Sequence, residues 1–78
     1  MKPSEVVEQV ARLMALGDQV AAGDLLSGQP GSWPDHRAVI LDGAPGAFAS
    51  AIEARDFDHA GAIATLAFNA RNEQEADA

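Results

Sequence analysis

His36 and His59 are the only imidazoles in the chain, so any general-base or metal chemistry would turn on them. His59 closes the run Asp56-Phe57-Asp58-His59. Its two carboxylates and one imidazole could hold a divalent ion weakly, or could pair Asp56 with His59 as an acid–base couple. His36 lies far off in sequence, and acids at a helix start are already stabilised by the helix dipole. The run is therefore read as a capped helix start with a surface histidine, and no metal ligand is expected. Nucleophiles are equally poor. There is no cysteine, and Ser27, Ser32, Ser50 and Thr65 stand in no nucleophile-elbow motif. The glycines of "GQPG" and "GAPG" are interleaved with prolines, which remove the amides a phosphate would need. With no nucleophile, base and orienting group together, no enzyme and no cofactor are expected.

Binding is the other chemistry these residues could perform. Trp33 follows the loop "GQPGS", and tryptophan is enriched at interface hot spots, although a small core needs its largest side chain and a core plug is the preferred reading. Leu13 and Phe48 are further candidates for contact with a partner protein. Asp56 and Asp58, with Glu73, Glu75 and Asp77, could instead offer carboxylates to a basic surface in the way phosphates do.

Charge and length narrow the classes. Five basic residues against twelve acidic ones give a net charge of −7, which argues against direct contact with nucleic acid or an anionic membrane. It suits solubility, or a basic partner. The lack of cysteine excludes a disulfide and fits a reducing compartment. Neither a signal-peptide pattern nor an apolar run of membrane-spanning length is evident, so a cytoplasmic location is expected. Seventy-eight residues make one domain with a small core, a size that often needs a partner or a homodimer. Residues 1–70 read as a single helical domain and 71–78 as an acidic tail that frays.

The elements that must carry these residues are helical. Ser4 reads as a first N-cap. Val6, Val7, Val10, Leu13 and Met14 then form one apolar stripe at helical period, ended by Gly17. Asp18 caps a short second helix, which Gly28 ends. Ser32 and Asp35 form a capping-box start to a third short helix reaching Gly43, within which "AVIL", residues 38–41, could also be a buried strand. "GAPGA" reads as the next break, with Pro45 starting a fourth helix through Arg55. Asp56 or Asp58 caps the last helix, where Phe57, Ala60, Gly61, Ala64 and Phe68 line one face, widened by Ile63, Leu66 and Ala67. The fold class is all-α, a bundle of four to five short helices.

A shift of 38 residues sets Ala11 on Ala49, Asp18 on Asp56, Ala22 on Ala60 and Gly23 on Gly61, with Val10 on Phe48 and Met14 on Ile52. The small Ala-Gly pairs would let the two helices of each hairpin approach closely. "LMALGDQVAAGDLL" and "IEARDFDHAGAIATL" resemble the turn and second helix of the tetratricopeptide family. Arg55 stands where that pattern prefers glycine, the spacing exceeds the family's usual one, and its first-helix aromatics are absent. The other reading of the same residues is a plain orthogonal bundle. The leading expectation is an adaptor or chaperone that holds a partner's helix or apolar segment, of the kind found in bacterial protein secretion, which the resemblance permits without selecting. The alternative is a regulatory or phage-type inhibitor whose acids block a nucleic-acid-binding or enzyme surface.

Overall fold

The computed structural model describes residues 2–77, the last by its backbone alone; of the expected tail, the side chain of Asp77 and the whole of Ala78 lie outside the described residues. Among the described residues there are four helices and no strand: α1 (Pro3–Ala15), α2 (Gln19–Ser27), α3 (Trp33–Glu53) and α4 (Phe57–Asp77). They form a small all-α bundle in which α1 packs chiefly on α3, and α3 on α4.

The valine stripe of α1 builds the centre. Val7 and Ala11 meet Ala44, Ala47 and Ala51 of α3 and Ala60 and Ile63 of α4. Val6 and Val10 meet Ala22 and Leu26 of α2, Ile40 of α3 and Ala70 of α4, with Leu13 and Met14 half-buried at the margin. Alanine supplies most of the contact, so the helices can lie close, and each buried valine or isoleucine contributes roughly 1.5–3 kcal/mol of burial. The start of α1 differs from expectation. Pro3 is the first helical residue and Lys2 the N-cap, which puts Ser4 inside the first turn. Proline is favoured there because its missing N–H would have no helical partner and its φ is already set.

The two short turns, after α1 and after α3, share one structure at the 38-residue shift. Gly17 and Arg55 both take positive φ, at 83° and 57°. Asp18 N–H bonds Leu13 O at 2.9 Å, and Asp56 N–H bonds Ala51 O at 2.9 Å. Asp18 Oδ1 accepts from Ala21 N–H at 3.0 Å, and Asp56 Oδ1 from His59 N–H at 3.2 Å. Each aspartate is thus the N-cap of the following helix, and Asp58 is not.

Two expectations fail at glycine. "GAPGA" does not break the chain: residues 43–47 lie inside α3, a single helix of 21 residues that also makes 38–41 helical. An interior proline costs about 3 kcal/mol. Burial of Ile40, Ala44, Ala47 and Ala51 along one face of α3 offsets it. Gly43 is a contact residue instead, since a Cβ there would overlap the backbone carbonyl of Pro3. Conversely, Gly23 and Gly61 are exposed and face open space, with nothing within 4 Å of an added Cβ. The close approach expected of those two glycines belongs to Gly43, where α1 meets α3.

Candidate functional site

α4 carries two apolar stripes, and the bundle uses one. Ala60, Ile63 and Ala70 enter the core, with Leu66 and Ala67 half-buried beside them. Phe57, Gly61, Ala64 and Phe68 point the other way, and Phe57 and Phe68 are 63% and 64% exposed. The single face expected of these residues is therefore two. α3 does the same with Leu41, Pro45, Phe48 and Ile52, which share the spacing i, i+4, i+7, i+11 with the exposed stripe of α4. Between the two helices lies an apolar groove of about 440 Å³, whose walls include Leu41, Pro45, Phe48, Ala64 and Phe68, with Arg71 at one end. Ile52 and Phe57 carry the exposed apolar surface on to the turn. The four large side chains on this face leave roughly 400 Å² in water, the scale of the largest apolar patch on an ordinary monomer.

The five residues singled out from sequence do not converge. Phe48 lines the groove. Leu13 is half-buried against the core and serves packing. Trp33 is exposed at the first turn of α3, where its Nε1–H donates to Glu73 Oε2 at 3.0 Å and its ring stands edge-on to His36. That bond lies within the expected tail, through which α4 continues to Asp77. Asp56 and Asp58 border a separate depression of about 270 Å³ that also contains Arg12, Leu16 and His59. The acids named for a phosphate-like face are thus divided, with Asp56 committed to capping, Glu73 bonded to Trp33, and a guanidinium beside Asp56 and Asp58.

Both histidines are buried, which corrects the reading of His59 as a surface residue. Its Nε2 lies 2.9 Å from the carbonyl of Glu8, and His36 Nε2 lies 3.1 Å from that of Gln29. A carbonyl only accepts, so each Nε2 carries the proton. His59 is covered because the first turn of α4 packs on α1, and its ring bridges the two helices. Asp35 shows the remaining electrostatic feature: the Ser32 backbone N–H at 2.9 Å, then the Ser32 hydroxyl at 3.2 Å, hold its carboxyl below the ordinary aspartate range.

Sequence reasoning missed Leu41, Pro45, Ala64 and Arg71 as groove residues, and Ile52 as exposed apolar surface beside them. A signal existed: α4 has more apolar positions than one core-facing stripe requires. Among the described residues, no cluster of three or more His, Cys, Asp or Glu is placed to hold a metal ion, and no helix is long and apolar enough to cross a membrane. Comparison of the chain with protein-family models, with curated proteins and with solved structures finds no significant match.

Proposed function

We propose that this chain is a protein-binding module, an adaptor or chaperone, that holds an apolar helical segment of another protein on the α3–α4 groove. The observation that carries this reading is the exposed apolar face itself. Two phenylalanine-bearing stripes of matched spacing flank an open groove, while neither core cluster contains Phe48 or Phe68. Helix-in-groove recognition uses this kind of surface, with anchors at i, i+3, i+4 and i+7. On this reading the chain works in the cytoplasm and binds rather than catalyses. The shared turns at the 38-residue shift are what a repeated helical hairpin would have. The alternative, an inhibitor acting through an acidic face, has less support because the acids it needs are dispersed.

Affinity purification of the tagged chain from its native cells tests the proposal. A stoichiometric partner is expected with the parent chain and not with the variant carrying Phe48→Asp and Phe68→Asp, helix content by circular dichroism being equal. A partner retained equally by both, or none with the parent chain, overturns it.

A further inference from the structure

The groove has a counterpart inside the molecule. At the 38-residue shift, Val7, Val10, Ala11 and Leu26 of the first hairpin correspond to Pro45, Phe48, Ala49 and Ala64 of the second. The two turns between these helices share their hydrogen bonds at the same shift. All four positions are buried in the first hairpin, because α3 and α4 lie across it; all four are exposed in the second. Val10 is 2% exposed and Phe48 is 40% exposed. The molecule thus shows what covers this face when it is covered, namely packed α-helix. Leu41 to Ile52 spans about 17 Å at 1.5 Å per residue, or three turns of a helix laid alongside.

Charge selects among helices. Asp42 and Glu53 follow Leu41 and Ile52 by one residue, so each sits about 100° around α3 from its exposed apolar stripe. Glu75 continues the stripe of α4 beyond Arg71. All three acids are exposed. Two bases stand against them, Arg55 in the turn and Arg71 at the groove's end, and the chain as a whole carries −7. A second copy would bring the same acids and another −7 onto this face, whereas a helix with Lys or Arg flanks would complement it.

Resting on the binding-module reading, we infer that the groove takes one amphipathic α-helix of a different protein, apolar along the side that meets Phe48 and Phe68 and basic along the flank that meets Asp42 and Glu53. The test titrates the full chain, by fluorescence anisotropy, with two labelled synthetic helices of about four turns. They share one Leu/Phe stripe and differ only in flanks of Lys or of Glu. The Lys-flanked helix should bind at least about ten-fold tighter at low salt, with the advantage shrinking as salt rises. Phe48→Ala with Phe68→Ala should weaken it, and Asp42→Asn with Glu53→Gln should bring the two peptides together. Equal binding of both peptides overturns the basic-flank assignment but leaves the groove a helix site. Binding of neither peptide overturns the inference and the reading beneath it. Sedimentation as a dimer that the two phenylalanine substitutions dissociate gives the groove to a second copy, and overturns the inference equally.

Discussion

At Gly43 the side chain is absent because another backbone occupies its place. An added Cβ would overlap the Pro3 carbonyl and stand 2.7 Å from the Ser4 nitrogen, and backbone has little room to yield. Gly43→Ala is expected to lower stability by about 1–3 kcal/mol, read as a fall in the midpoint of urea unfolding. Gly61→Ala meets nothing within 4 Å and should raise stability by up to about 1 kcal/mol through helix propensity. A neutral Gly43→Ala would mean that α1 and α3 do not cross this closely. Asp35 gives a pH effect at the same scale. Its folded pKa is depressed by the Ser32 hydrogen bonds, so its contribution is present above the unfolded carboxylate value and lost as pH falls through the folded one. Thermal midpoints of the parent chain and of Asp35→Asn should therefore differ at neutral pH and converge in acid. A gap that persists at low pH rules out the carboxylate as its cause.

At the scale of elements, the two turns are one device built from unequal residues. Gly17 and Arg55 occupy the same left-handed position, which glycine adopts freely and arginine only at a cost of roughly 1–2 kcal/mol. Arg55→Gly should stabilise the fold by about 1 kcal/mol, and Gly17→Arg should destabilise it by a similar amount. Calorimetry of the two single variants decides the matter. Opposite signs support the equivalence of the turns, and a loss of stability in both would show that the Arg55 side chain contributes an interaction larger than its strain. α3 shows how packing overrides local preference. Pro45 lacks the N–H that would bond Leu41, yet the buried face formed by Ile40, Ala44, Ala47 and Ala51 keeps 21 residues in one helix.

At the scale of the molecule, a buried bridging side chain and an exposed apolar one should respond differently to removal. His59 bridges α4 to the Glu8 carbonyl of α1 from a buried position. His59→Ala should cost about 1–3 kcal/mol through the lost hydrogen bond and the space left behind. Phe68→Ser should stay within about 0.5 kcal/mol of the parent chain, because the ring packs on little and is mostly in water. Denaturant unfolding of both variants checks the pair. A strongly destabilised Phe68→Ser would place that ring in the core and close the groove.

Much of this fold was legible in one dimension. The valine stripe of α1, the Asp18 and Asp56 caps and the Ser32–Asp35 box are written in residues only a few positions apart. Such signals act through the local backbone, so the helical class and the two hairpin turns follow from the sequence alone. What the sequence leaves open is decided by contacts between distant segments. Gly43 and Pro45 look like a break until α1 lies against α3, since only then does a missing side chain become a point of contact. His59 looks like a surface residue until α4 meets α1. Phe48 and Phe68, twenty residues apart on different helices, become one groove only when the core has drawn Ala47, Ala51, Ala60 and Ile63 to its own side. Periodicity shows that a helix has apolar faces. Which face is buried and which is left exposed depends on the neighbours that arrive, and those are set by tertiary packing.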